Sequence, residues 1–324
     1  MKEKVLKLLF GADFVSGQYI SEQLGVSRTA VWKAIRGLEE EGYEIEAVRN
    51  KGYRILGEPD LLTKAQVESH LHTAWAGREL YVCAEIDSTN NEAKRLAEAG
   101  APHGTLVIAE VQTAGRGRRG RPWISPRGTG VWMSLLIRPD LSPVNASMLT
   151  LVMAMAIRRG IWKTAGLSCG IKWPNDVVSD GRKICGILTE MSAEPDCINH
   201  IVIGDGINVL DEAFSEDLKD TATSIYRETG KKVSRAELIS NVLEAFEEYY
   251  ERFLRNEDLR ALQEEYNSYL LNCGKEVRVL DPHGAYTGVA RGINTRGDLL
   301  VETENGTREV FSGEVSVRGI YGYV

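Results

Sequence analysis

Chemistry-bearing residues concentrate in two stretches. The first is Gly115-Arg116-Gly117-Arg118-Arg119-Gly120, continued by Arg121 and Arg127, with no acidic residue between Glu110 and Asp140. Glycines let backbone approach a ligand closely, and guanidinium groups hold carboxylate or phosphate oxygens in pairs, so the run suits a polyanion. An exposed basic loop is the plainer alternative. The run also spells G-x-G-x-x-G behind a strand-like Thr105 to Glu110. That dinucleotide fingerprint needs a helix opening inside the glycines. Pro122, Pro126, Gly128 and Gly130 forbid one, so a flexible arginine-bearing lid is expected instead.

The second stretch is Lys172-Trp173-Pro174-Asn175-Asp176, followed by Asp180-Gly181, Arg182, Lys183 and Gly186. Asp-Gly between two β-branched runs is a hairpin signal, which puts Lys183 on a rigid strand. There Lys183 can neutralise a carboxylate or a transferring phosphate, and Asp176 can hold a metal or help deprotonate an attacking amine. A surface salt bridge is the competing reading. Gly204-Asp205-Gly206-Ile207-Asn208 closes an apolar strand, and its glycines mark either backbone against a ligand or a tight turn. Asp87-Ser88-Thr89-Asn90 precedes a helix, with Thr89 and Glu92 spaced as a capping box. A helix start can also offer donors to a small polar ligand.

These residues need a scaffold, and periodicity supplies one from residue 63 to about 271. Helical stretches (Asn90 to Ala99, Met148 to Thr164, Arg235 to Leu254) alternate with strand-like ones at Leu80 to Ala84, Thr105 to Glu110, Gly130 to Ile137, Ile184 to Glu190 and His200 to Ile203. A mixed α/β sheet domain is expected, opened by a Thr63/Gln66 capping box. From 272 to 324 short β-rich runs are punctuated by Gly284, Gly292, Gly297 and Gly306, and the last run is Val315 to Arg318. That pattern predicts a small β-barrel. The class expected overall is α+β.

Residues 1 to 57 predict three short helices and a two-stranded ribbon. Ser27 is placed to cap a helix over Arg28 to Glu41, Gly42 to end it, and Arg49-Asn50-Lys51-Gly52 to turn the ribbon. This order describes a winged helix-turn-helix. Ser27, Arg28, Thr29, Trp32 and Lys33 would face a DNA groove, and Arg49, Lys51 and Arg54 would meet phosphates. A helical protein-interaction module is the alternative. Glu58-Pro59-Asp60 is the expected linker.

At 324 residues, 43% hydrophobic and 26% charged, the chain has globular composition and room for two or three domains. Five scattered cysteines with no Cys-x-x-Cys pair argue against a disulfide framework and a zinc site, and the five histidines add no metal spacing. With a net charge of −7, a polyanion must be met by a local basic patch. Neither a signal-peptide pattern nor an unbroken apolar span is found, so a cytoplasmic location with no membrane partner is expected.

Taken together, Asp87 to Asn90, Gln112, Gly115 to Gly120 with Arg121, Trp123 and Ser125, Lys172 to Asp176, Lys183 to Gly186, and Gly204 to Asn208 resemble the biotin protein ligases. With the head in front, the chain is similar to the bifunctional kind that also represses the biotin operon. The resemblance implies an SH3-like barrel at the C-terminus. It implies a two-step reaction in which biotin and ATP, with Mg2+, give biotinyl-5'-adenylate. A lysine of a biotin carboxyl carrier protein then takes the biotin, and no tightly bound prosthetic group is needed. Lys183, Arg118 and Asp176 would be the catalytic residues. Ser88, Thr89, Asn90, Gln112, Gly115, Arg116, Gly117, Arg118, Lys183, Gly186, Gly204 and Gly206 would bind biotin. Arg118, Arg121, Trp123, Lys172, Asn175, Lys183 and Asn208 would bind the nucleotide. The resemblance also implies operator DNA as a partner and a homodimer when the adenylate is bound. Some relatives cover the adenine with a tryptophan; Val209 to Gly230 contains none, which leaves Phe214, Tyr226 or no cover. A lipoate ligase, or a sensor that only binds biotin, are the other functional readings.

Overall fold

The computed structural model describes the chain apart from residues 11, 41–42, 58–59, 211–217, 219, 281–283, 313–315 and 320–324. The expected helix stop at Gly42, the Glu58-Pro59 linker, Phe214 and Val315 therefore lie outside the described residues. The chain forms two compact units, Met1–His70 and Leu71–Val324.

In the first unit, α1 (Lys2–Leu9), α2 (Gly17–Leu24) and α3 (Arg28–Glu40) precede β1 (Glu44–Val48), β2 (Gly52–Gly57) and α4 (Lys64–His70). Val5, Leu6, Leu9, Ile20, Val31, Ile35 and Leu38 meet in one core, which is what the three- and four-residue spacing requires. Gly25, at φ 63°, ends α2. The Ser27 hydroxyl accepts from the Ala30 N–H at 3.2 Å and starts α3. β1 and β2 pair antiparallel around the basic turn. Thr63 does cap α4, accepting from the Gln66 N–H at 3.2 Å. However, α4 does not open the next domain: Ala65 lies in the head's core and Glu68 pairs with Lys7 of α1. Packing therefore carries the unit to His70, beyond the expected end at 57.

The second unit is built on β3 (Leu80–Cys83), α5 (Thr89–Glu98), β4 (Thr105–Ala109), β5 (Gly130–Ile137), α6 (Met148–Ala165), β6 (Gly170–Lys172), β7 (Asp176–Ser179), β8 (Arg182–Ala193), β9 (Ile198–Asn208), α7 (Ile225–Thr229), α8 (Arg235–Leu254) and α9 (Gln263–Tyr269). Seven strands run in the order β3-β4-β5-β9-β8-β7-β6. β3 and β4 are parallel and the other pairs antiparallel. Asp180 and Gly181, both at positive φ, turn β7 into β8, so the hairpin signal was sound. α5 packs on one face. α6 and α8 cover the other, where Thr150 bonds Thr189. α6 is long and apolar enough to cross a membrane, yet most of it is buried beneath the sheet and α8, the usual fate of a helix apolar all round.

β10 (Glu276–Leu280), β11 (Tyr286–Ile293), β12 (Leu299–Thr303), β13 (Gly306–Val310) and β14 (Ser316–Gly319) form a five-stranded antiparallel sheet in the order β13-β12-β11-β10-β14. Val277, Val279, Ala290, Leu299, Val301, Val310 and Val317 fill its inner face. The expected closed barrel is not formed by the described residues, since the short edge strands β13 and β14 do not pair with each other. Trp173 welds this sheet to the larger one: its indole donates to the Gly297 carbonyl at 2.9 Å, and its N–H to Asn272 Oδ1 at 3.0 Å.

Candidate active site

Register places one row of residues straight across the large sheet. Trp132 pairs with Gly206, Gly206 with Gly186, Gly186 with Asp176, and Asp176 with Lys172. Paired residues share a face, so all five point toward α5. A bulge between Val177 and Val178 shifts the register beside them and re-aims Lys183. The Lys183 ammonium lies 2.5 Å from Asp176 Oδ1 and 5.3 Å from the Trp123 ring. The glycines exist for these neighbours. A Cβ at Gly186 would come within 2.8 Å of Lys183 Nζ, and one at Gly206 within 2.4 Å of the Trp123 indole. Trp123 thus rests on the sheet, its indole N–H finding no acceptor among the described residues.

The Gly-Arg run folds as a hairpin. Gln112 and Ser125 bridge; Trp123 N–H donates to the Gly115 carbonyl and Gly117 N–H to the Arg121 carbonyl, each at 2.8 Å. Glycines without Cβ atoms let these two arms close into a ladder, capped by a 3-10 turn at Arg118–Gly120 with Arg119 at φ 58°. A Cβ at Gly115 would meet the Trp123 carbonyl at 2.5 Å. From the tip, Arg118 donates to Asn175 Oδ1 and to the Ser312 carbonyl, each at 2.9 Å. Burial pushes the Arg118 guanidinium below its ordinary value, while Asp176 pulls it back up and Arg119 lowers it further. A desolvated cation is primed for an anion. Arg116 donates to Asn91 Oδ1 at 2.7 Å, and Arg121 is exposed.

Beside this cluster, Thr89 Oγ1 and N–H donate to Gln112 Oε1 at 3.0 and 2.9 Å, Gln112 Nε2 donates to Ser125 Oγ at 2.9 Å, and Ser134 Oγ stands 2.8 Å from Thr89 Oγ1 and 2.6 Å from Asn90 Oδ1, its one proton shared between them. The expected Thr89/Glu92 capping box is thereby corrected. Ser88, buried and extended, is the N-cap without a side-chain cap bond, and Thr89 is the first helical residue, turned to Gln112. Asn90 braces the sheet. Its amide donates to the Leu188 carbonyl and Glu190 and accepts from Ser134 at 2.6 Å. Gly204 exists to seat it, because a Cβ there would fall 1.9 Å from Asn90 Oδ1.

Asn175 also braces β8, donating to the Ile187 carbonyl at 3.1 Å. Asn208, buried, donates to the Thr223 carbonyl at 3.1 Å and ties the segment before α7 to β9. Tyr226, 37% exposed, is the described aromatic in that segment, its N–H bound to the Val209 carbonyl. The structure brings Lys183, Asp176 and Trp123 together, joins Arg118 to Asn175 and links Thr89 through Gln112 to Ser125, while Arg121 stays exposed and Asn208 is bonded to Thr223. Ser134, Ser312, Glu110 and Arg235 were missed. Each is a single polar residue in an apolar or remote stretch and carries no motif.

In the head, Ser27, Arg28, Thr29, Trp32 and Lys33 are exposed at the start of α3, as are Arg49 and Lys51 on the wing. Arg54 differs. It binds Glu46 at 2.6 Å and Asp13 at 2.9 Å and stacks on Phe14 at 4.6 Å, so its charge is already answered within the head.

A helix-turn-helix head, a mixed sheet with a glycine row under a Gly-Arg hairpin, and a C-terminal sheet define a biotin ligase class with a DNA-binding domain. Family models agree: the biotin/lipoate A/B protein ligase family matches residues 82–208, an HTH domain 2–54, and the biotin protein ligase C terminal domain 273–318. The bifunctional ligase/repressor BirA of Bacillus subtilis (strain 168) is 43% identical over 95% of both chains, and that of Escherichia coli (strain K12) 31% identical over 97% of this chain and 96% of the other. The biotin protein ligase from Aquifex aeolicus in complex with biotin and ATP superposes with a TM-score of 0.66 at 33% identity, covering 75% of this chain and 99% of that one. The chain belongs to the family of bifunctional biotin ligase/repressors, and its activity is that of a biotin–protein ligase.

Proposed function

We propose that biotin is activated and transferred on the glycine row, between the Thr89–Gln112 chain and the Lys183/Arg118 pair. One observation carries this: two cations and one carboxylate converge where paired glycines leave the sheet bare. The pre-bonded Ser134, Thr89, Gln112 and Ser125 groups suit a small cyclic urea, whose N–H and C=O need fixed partners in a partly buried pocket. Ser88, Gly115, Arg116 and Gly117 surround that end, and Gly186, Gly204 and Gly206 floor it. Trp123 lies over Gly206 and Gly186, so it is the side chain that would meet a ligand there.

A biotin carboxylate oxygen then attacks the α-phosphorus of ATP, and the bond to pyrophosphate breaks. Lys183 and Arg118 neutralise the charge that builds on the phosphate oxygens. In the second step the ε-amine of a carrier-protein lysine attacks the acyl carbon, AMP leaves, and Asp176, freed from Lys183, accepts the proton. Arg121, Trp123, Lys172, Asn175 and Asn208 hold the nucleotide end, with Tyr226 as the aromatic on that side. Mg2+ would enter with ATP and supply further charge neutralisation, and Asp176 is the carboxylate that would help hold it. Closure of the Gly-Arg hairpin over the mixed anhydride would keep water out.

The carrier partner is the biotin carboxyl carrier protein of acetyl-CoA carboxylase and kindred carboxylases. The head grips operator DNA as a two-fold homodimer in the adenylate-bound state, which fits paired half-sites. We read the C-terminal sheet as an SH3-like barrel, on the strength of its single apolar inner face, and place the protein in the cytoplasm. Biotin-dependent exchange of labelled pyrophosphate into ATP tests the site. Lys183→Ala should slow exchange by about a hundredfold or more. Exchange by Lys183→Ala at the rate of the unaltered chain would refute the assignment.

A further inference from the structure

Arg235 is out of place on electrostatic grounds. It is the first residue of α8, where the helix dipole disfavours a cation, and it is only 1% exposed. Ser234 caps the helix, accepting from Glu237 N–H at 3.2 Å, so Arg235 is not needed there. Its guanidinium instead pairs both carboxylate oxygens of Glu110, each at 3.0 Å, and donates to the Gly130 carbonyl at 3.1 Å. Glu110 Oε2 also accepts the Gly128 N–H at 3.1 Å. Glu110 is the residue after β4, and Gly128 to Gly130 lead into β5, its antiparallel neighbour. The ion pair therefore staples the base of the loop that carries Gln112, the Gly-Arg hairpin and Trp123. Between those glycines, the Thr129 carbonyl accepts both Val209 N–H at 3.0 Å and Leu210 N–H at 2.8 Å. The stapled stem thus also fixes where the chain leaves Asn208.

We propose that Arg235 is a positioning residue for the ligase reaction. Paired with Glu110, it holds the stem of the 110–129 loop at the separation that lets Gln112 reach biotin while Arg118 and Trp123 close on the adenylate. This rests on the site reading above. Buried ion pairs contribute little net stability against apolar replacements, so a role in geometry is a better account of this one than a role in stability.

The test uses the full chain in biotin-dependent pyrophosphate exchange, together with the release rate of preformed biotinyl-adenylate. Arg235→Lys keeps the charge but loses the two-pronged geometry, and Glu110→Asp keeps the charge but shortens the reach. Each should raise the biotin KM and the adenylate release rate by about tenfold and lower kcat as Arg118 loses its position. Leu243→Ala, a buried change elsewhere on α8, controls for stability; it should lower Tm and leave KM and release unaltered. If Arg235→Lys and Glu110→Asp lower Tm while KM and release stay at control values, Arg235 is structural only and the proposal falls. Should Arg235→Lys not fold, Glu110→Asp decides alone. A failure of the site reading would look different, as an unaltered chain without biotin-dependent exchange.

Discussion

Asp205 lies between Gly204 and Gly206 but on the opposite face of the sheet, toward α6. It pairs with Met133 and Ile187, and neither carboxylate oxygen has a hydrogen-bond partner among the described residues. Burial alone pushes its carboxyl well above the ordinary range. The folded chain therefore keeps a proton there that the unfolded chain releases near pH ~3.9. Between that pH and the raised folded value the unfolded state binds fewer protons, so stability falls as pH rises, by about 1.4 kcal/mol per pH unit. Asp205→Asn keeps the shape and removes the titration. Inside that window the stability gap between Asp205→Asn and the unaltered chain should widen in favour of the variant by about 1.4 kcal/mol for each pH unit. Urea unfolding at constant ionic strength from pH 5 to 8, followed by tryptophan fluorescence, measures this. Parallel stability curves for the two proteins would show that Asp205 is ionised and satisfied, and would refute the reasoning.

Other outcomes follow from the same contacts. Gly204→Ala should displace Asn90 and cost its bonds to Ser134, Leu188 and Glu190, at about 1 kcal/mol each. A thermal melt should show the loss, and an unchanged Tm would mean that Asn90 is not held as described. On the wing, Arg49→Ala or Lys51→Ala should each lower the slope of log affinity against log salt for operator DNA by about 1. Arg54→Ala should not, because Glu46 and Asp13 already neutralise that charge; an equal slope change for all three would contradict this.

The sequence by itself determined the elements and most of the chemistry. Apolar periodicity set α3, α6 and α8, because a helix must bury one face or all of itself. The Asp180-Gly181 turn set the hairpin that carries Lys183, because two successive positive φ angles suit few other residue pairs. The resemblance to the ligases named residues of which the fold joins Lys183 to Asp176, Arg118 to Asn175 and Thr89 to Gln112. Only the tertiary structure decided what each residue is for. Gly204 and Gly206 look alike in sequence, but strand register puts Asn90 over one and Trp123 over the other. The Gly-Arg run was expected to be loose because its local sequence supports no helix, whereas backbone bonds between its two arms make it a hairpin. Thr63 marked a helix start correctly but not its allegiance, which depended on α1 offering a surface to α4. The Glu110–Arg235 staple was invisible for the same reason. Two ordinary charged residues 125 positions apart acquire meaning only when the sheet and α8 bring them to 3.0 Å.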